Sequence, residues 1–184
     1  MRLFVAVNLP SALRQAIYAA AAPLRQTGLP VKWVAPDGIH VTLKFFGEVA
    51  PERLPEMTAA LDRACAGART FPVEIGGFGA FPDPDRARVI WIGCEAAPPL
   101  ELLQHAIERE YATLGFPVEG RPFRPHLTLG RARQQSRSGV RGVTEHLEPL
   151  LFRDTCTVEA VDLMESTLSP AGARYTVAHR VPLA

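Results

Sequence analysis

Hydrophobic and polar positions alternate along residues 40–46, the two-residue period of a strand that buries one face, and Arg2–Asn8, rich in β-formers, also reads as a strand. Residues 12–26 instead carry apolar side chains at helical spacing, with Ser11 placed to cap the helix and Pro23 placed to bend or end it. Residues 51–65 form a second amphipathic helix. Residues 98–114 form a third, closed by Gly115 and Pro117. Further strands are predicted at residues 31–34, 71–75, 88–94 and 125–130. Pro36-Asp37-Gly38, Gly76-Gly77 and Pro82-Asp83-Pro84 supply turn chemistry between them. Residues 134–142 read as a polar loop, followed by a short helix ending near Leu150. Residues 155–168 and 174–181 read as two strands joined through Ser169-Pro170-Ala171-Gly172. The pattern is that of an α+β domain of mostly antiparallel strands interrupted by helices, with no linker dividing it.

Length and composition narrow the class. With 184 residues, 47% hydrophobic and 21% charged, the chain can build a substantial core and is not a disordered segment. No run of eighteen apolar residues exists, so no membrane-spanning helix is expected. The opening residues read as a strand rather than as an export signal. Cys65, Cys94 and Cys156 are scattered, in no metal or redox spacing, which suits reduced thiols in the cytoplasm. A net charge of +1 gives no global attraction to nucleic acid, but the cations are unevenly chosen and placed. Only Lys32 and Lys44 are lysines. Arginines 121, 124, 131, 133, 137 and 141 occupy a stretch without a single acid. Guanidinium forks pair with phosphate oxygens as ammonium groups cannot.

Within that organisation one tetrapeptide recurs. His40-Val41-Thr42-Leu43 lies in the first half and His126-Leu127-Thr128-Leu129 in the second, although five histidines in 184 residues leave chance pairings of this kind rare. On a strand, positions i and i+2 share a face. His40 and Thr42 therefore face one way, and Val41, Leu43 and Phe45 face the core. His126 and Thr128 repeat the pattern, with Leu127 and Leu129 inward. Two such strands facing across a cleft would gather two imidazoles and two hydroxyls around one small volume. One neutral imidazole can take a proton from a nucleophile and one protonated imidazole can give a proton to a leaving oxygen. The hydroxyls can hold phosphate oxygens and an arginine can stabilise developing charge. Neither motif has a carboxylate or thiol at ligand spacing, so a metal site is not expected. His105 and His146 read as surface groups and His179 as a structural one. Gly76-Gly77-Phe78-Gly79 lacks the lysine and hydroxyl of a nucleotide-binding loop. Trp33, Phe46 and Phe123 are aromatic neighbours of the motifs, better suited to the core than to stacking on a base, and Lys44 shares the face of His40 if the strand continues.

These motifs resemble those of the 2H phosphoesterase superfamily, and most closely its RNA 2′,3′-cyclic phosphodiesterase branch, the LigT-like or 2′-5′ RNA ligase family. The resemblance runs in order through Met1-Arg2-Leu3-Phe4-Val5-Ala6-Val7, Val31-Lys32-Trp33-Val34, His40 to Val49, Gly77-Phe78-Gly79-Ala80-Phe81-Pro82, Arg121 to Arg131, Leu163-Met164-Glu165-Ser166 and Tyr175-Thr176-Val177. It implies a bilobal LigT-like fold over residues 1–184, a single domain of two pseudo-symmetric lobes of mostly antiparallel sheet flanked by helices, with a central cleft. It implies metal-independent, cofactor-free hydrolysis of an RNA-terminal 2′,3′-cyclic phosphate, or of a small cyclic nucleotide, to a 2′-phosphate; the near-zero net charge and ordinary composition suit a monomer. His40 would be the proton donor and His126 the acceptor, with the exchanged roles left open by the residues themselves. Thr42, Thr128 and Arg131 would bind substrate. Strict alternation puts Arg131 on the wrong face, so a bulge or strand end is predicted at Gly130. RNA ligation through the same site and non-catalytic RNA or nucleotide binding are the competing readings. Intact histidines in both motifs argue against the second.

Overall fold

The alternating segments become strands of one antiparallel sheet in the computed structural model, which describes residues 1–134, 136, 138–169 and 172–184. Arg137 of the basic stretch and the middle of the 169–172 connection lie outside the described residues. The strands are β1 (Arg2–Asn8), β2 (Val31–Trp33), β3 (His40–Glu48), β4 (Phe71–Phe81), β5 (Val89–Cys94), β6 (His126–Ala132), β7 (Arg153–Val158), β8 (Ala160–Ser169) and β9 (Gly172–Pro182). Their order is β7-β4-β5-β6-β3-β1-β8-β9, with β2 also paired to β6. The two motif strands, β3 and β6, thus lie side by side at the centre with three strands beyond each. They are neighbours in one sheet rather than walls facing each other, and the cleft comes from the curl of that sheet. A β-carbon on Gly172, at the start of β9, would lie 4.0 Å from Lys32 Cε on β2, so the curl brings the far hairpin back to the other half.

Five α-helices accompany the sheet among the described residues: α1 (Ser11–Ala20), α2 (Ala22–Arg25), α3 (Leu54–Cys65), α4 (Pro98–Ala112) and α5 (Thr144–Leu147). Leu100, Leu103, Ile107 and Tyr111 form the buried stripe of α4, and Met57, Ala60, Leu61 and Ala64 that of α3. They pack with Leu3, Val5, Val41, Leu43, Leu127 and Leu129 of the sheet. Each such buried aliphatic is worth about 1.5–3 kcal/mol. On the opposite face only a small apolar group forms, Phe4, Ala6 and Met164 with Tyr175 against it. The face without helices is the one to which His40 and Thr42 point.

Several boundaries differ from the sequence expectation. The first helix breaks at Ala21, two residues before Pro23, which sits in the first turn of α2; Pro10 rather than Ser11 precedes α1. The strand at 71–75 continues to Phe81 through a register shift between Ile75 and Phe78, so Gly76-Gly77 is an irregularity inside β4 and not a turn. Residues 155–168 are not one strand. They divide at Glu159 into β7, which pairs with β4, and β8, which pairs with β1, at opposite ends of the sheet. The core positions change phase across the division, from Cys156 and Val158 to Val161 and Leu163, a shift masked by the apolar Ala160 between them.

Candidate active site

Val41 of β3 pairs with Leu127 of β6, the single rung recorded between the motif strands. Both side chains are buried in the core. The residues flanking them therefore point to the helix-free face, His40 and Thr42 from one strand and His126 and Thr128 from the other. The antiparallel direction sets each histidine across from the other strand's threonine, and the two histidines on a diagonal. In a regular ladder such a diagonal spans about 7–8 Å, room for a phosphate between two rings.

The motif strands also share a defect. In β3, Val5 pairs with Lys44 but Ala6 with Thr42, so Leu43 is an extra residue. In β6, Ile90 pairs with Gly130 but Trp91 with Thr128, so Leu129 is an extra residue. Each bulge falls on the fourth residue of the tetrapeptide and reverses the alternation beyond it. Arg131 is thereby returned to the face of His126 and Thr128, where it is exposed. The predicted bulge exists, one residue earlier than Gly130. Gly130 itself turns inward under β2, and a β-carbon there would come within 2.5 Å of Val31 Cγ1 and 2.7 Å of Trp33 Cε3.

The twin bulge corrects two expectations. Phe45 does not enter the core: it is 54% exposed, on the face of His40 and Thr42, with the Arg2 guanidinium 5.1 Å above its ring. Lys44 does not line the cleft: it is 7% exposed and paired with Glu108 inside the protein. Phe45 stands five residues after the first motif histidine, as Arg131 stands after the second. Phe46 is packed against Tyr111 and Phe116, and Trp33 and Phe123 are partly buried against the core. His105 is exposed, and His179 Nε2 lies 2.7 Å from Asp62 Oδ1.

Aromatic rings seat both imidazoles. His40 stacks on Phe4 at 4.9 Å between centroids and meets the edge of Tyr175 at 5.2 Å. His126 meets the edge of Phe81 at 5.0 Å and lies 6.4 Å from Trp91. These four seats come from β1, β9, β4 and β5, too far apart in sequence for any local motif to mark them. The Arg124 carbonyl lies 2.7 Å from His126 Nδ1 and can only accept, so Nδ1 carries the proton in the neutral ring and Nε2 is free.

The 2′-5′ RNA ligase superfamily model matches residues 10–169 of this chain. The chain belongs to that superfamily. The RNA 2′,3′-cyclic phosphodiesterase of Methanothermobacter thermautotrophicus is 33% identical over 180 residues, covering 96% of this chain and 95% of that protein. The protein of the same name from Thermus thermophilus is 32% identical, covering 100% and 90%. Among solved structures, TT0787 of Thermus thermophilus superimposes with a TM-score of 0.84 at 32% identity, covering 100% of this chain and 98% of that one. Escherichia coli LigT complexed with 3′-AMP gives 0.76 at 27%, covering 99% and 97%.

In this superfamily member both imidazoles are less basic than usual. Burial, then the positive charge of Arg131, pushes His40 down to about 4, with Arg14 adding to the effect and the Gly38 carbonyl opposing it. Burial also lowers His126, opposed by its bond to Arg124 O and reinforced by Arg131. The Arg131 charge therefore bears on both rings. The His40 shift has a stability consequence. Above pH 6.5 the ring is neutral folded or unfolded; between about 6.5 and 4 only the unfolded chain binds the proton, so stability falls as pH falls through that window. The full shift corresponds to about 3 kcal/mol. Urea unfolding at pH 7 and pH 4 is expected to show a larger acid loss for the wild type than for His40→Gln, by about that amount. Equal losses would remove the buried neutral ring from the account.

Proposed function

We propose that the chain is an RNA 2′,3′-cyclic phosphodiesterase acting through His40 and His126. The reading rests on one observation above all, the placement of both His-x-Thr pairs and Arg131 on one open face around the Val41–Leu127 rung. Water attacks phosphorus, the bond from phosphorus to O3′ breaks, and a 2′-phosphate and a 3′-hydroxyl result. His126, with Nε2 free, takes the proton from water; His40 gives a proton to O3′. Thr42 and Thr128 donate hydroxyl hydrogen bonds to the phosphate oxygens, and Arg131 offsets their charge. The depressed basicity of His40 favours exchanged roles, because a neutral ring is a base. The anionic phosphate works the other way, raising the pKa of any imidazole it approaches. Phe45 offers an open aromatic face for the terminal base.

The domain reading follows the same symmetry: one domain of two lobes, each carrying one bulged motif strand. The partner is an RNA end or a small cyclic nucleotide, met by a cytoplasmic monomer. Three buried free cysteines, their thiols pushed up by burial, support that compartment. Among the described residues no helix is long and apolar enough to cross a membrane.

The test is product analysis. An oligonucleotide ending in a 2′,3′-cyclic phosphate is expected to yield the 2′-phosphate, at an unchanged rate in chelator, and Phe45→Ala is expected to raise KM several-fold with little change in kcat. A 3′-phosphate product, or no turnover, would overturn the assignment.

A further inference from the structure

A cleft of about 600 Å³ lies beside the motif face, and neither imidazole nor either motif threonine lines it. Tyr175 stands between the two. One side of its ring packs against His40 at 5.2 Å, and the residue also lines the cleft. Asn8, on the near wall, is the register partner of His40. The cleft thus begins one ring's width from the first imidazole.

Its lining has a definite chemistry. Arg14 Nη1 donates to Asp37 O at 3.2 Å, while Arg14 Nε is buried with no hydrogen-bond partner. Arg180 is steadied from behind by Asp162, which is 1% exposed, with its Nε 3.7 Å from Oδ1. Asn8 Nδ2 donates to the other oxygen of Asp162 at 2.7 Å. The guanidinium of Arg180 is otherwise solvent-facing. Leu9 and Pro10 also line the cleft, bringing the first turn of α1 alongside, and that turn has no side-chain cap and no acidic residue. Donors for a phosphate therefore come from two arginines, the half-buried Arg14 and the braced Arg180. Asp37 and Glu159 offset the two arginines, and Asp162 stands behind Arg180, so the cleft carries no surplus positive charge for a polyanion. Tyr175 and Val177 supply apolar surface. One phosphodiester, a flat base and hydroxyl or amino donors for the two acids satisfy the whole set. The volume is that of an ordinary small-ligand site.

We propose that this cleft is a second-nucleotide subsite, holding the nucleotide on the 5′ side of the cyclic-phosphate end. The inference rests on the phosphodiesterase reading and specifies its substrate as a chain of at least two nucleotides, with a mononucleoside cyclic phosphate filling only part of the site.

The experiment compares a mononucleoside 2′,3′-cyclic phosphate with a dinucleotide bearing the same end. The wild type is expected to favour the dinucleotide in kcat/KM by about tenfold or more. Val177→Trp, which fills the cleft, and Arg180→Met, which removes a phosphate donor, are each expected to bring that ratio near one. Both should leave the mononucleotide rate within about twofold. Either variant suffices if the other does not fold, as judged by thermal melting. A wild-type ratio near one, or a ratio unchanged in a folded variant, overturns the subsite. Calorimetric binding of the two 2′-phosphate products separates the two claims. Tighter dinucleotide binding without turnover overturns the activity and keeps the subsite, whereas equal binding overturns the subsite whatever the turnover.

Discussion

His40→Ala and His126→Ala are each expected to lower kcat on a cyclic-phosphate-ended oligonucleotide by about 10²–10⁴-fold, with KM changed far less. The reason is geometric. The rings sit on aromatic seats, with the Arg124 carbonyl also holding His126 Nδ1, and none of these groups can carry a proton in their place, so truncation leaves no proton carrier on that side of the phosphorus. The double variant should be little worse than either single one, because a donor without its acceptor no longer works in concert. A substrate with sulfur replacing O3′ tells the roles apart, since a thiolate leaves without being protonated. With His40 as the donor, that substrate restores His40→Ala toward the wild-type rate and does nothing for His126→Ala. The opposite rescue would exchange the roles. A pH–rate curve could not make this distinction, because the coupled pair yields the same bell for either arrangement. It would report the depression itself, as an optimum on the acid side of the ordinary imidazole range for kcat/KM. Near-wild-type turnover by either single variant would end the two-histidine reading.

The motif faces were legible from sequence because a strand has period two. His40 with Thr42, and His126 with Thr128, needed only alternation to be placed together, and Arg131 needed only the added bulge. The same reasoning, carried across the internal repeat, would have found Phe45. If the residue five places after His126 must be turned outward, so must the residue five places after His40. What hid it is that Leu43 is an ordinary strand residue, and a bulge at such a position leaves no compositional mark. Glycine drew attention to the second bulge, although the extra residue there is Leu129 and Gly130 serves the close approach of Val31 and Trp33. The division at Glu159 and the cleft beside Tyr175 were invisible for a different reason. Both depend on which distant strands lie at the two ends of the sheet, and alternation within one strand carries no information about that.

Lys44→Met is expected to destabilise the fold by about 3–5 kcal/mol, and the further change Glu108→Leu to restore a substantial part of the loss. Lys44 and Glu108 are 7% and 4% exposed, and the bulge at Leu43 is what drives the ammonium group into the interior. Removing it leaves a carboxylate in a low-dielectric site with only Gln104 Nε2, at 3.2 Å, and the Glu119 amide, at 3.3 Å, to answer its charge. It also strips the Pro117 carbonyl of its donor, Lys44 Nζ at 2.9 Å. The pair therefore fastens β3, which carries the first motif, to α4 and to the segment that leads into the second. Removing both charges replaces an isolated buried ion with apolar surface, so the double variant loses four hydrogen bonds but not the desolvation of an unpaired carboxylate. Urea unfolding of the two singles and the double closes the cycle. A coupling near zero would mean that the pair is solvated in solution and that the bulge does not need it. A large coupling, with His126 activity falling in Lys44→Met and returning in the double, would show that the defect placing Phe45 on the open face also holds the second motif in register.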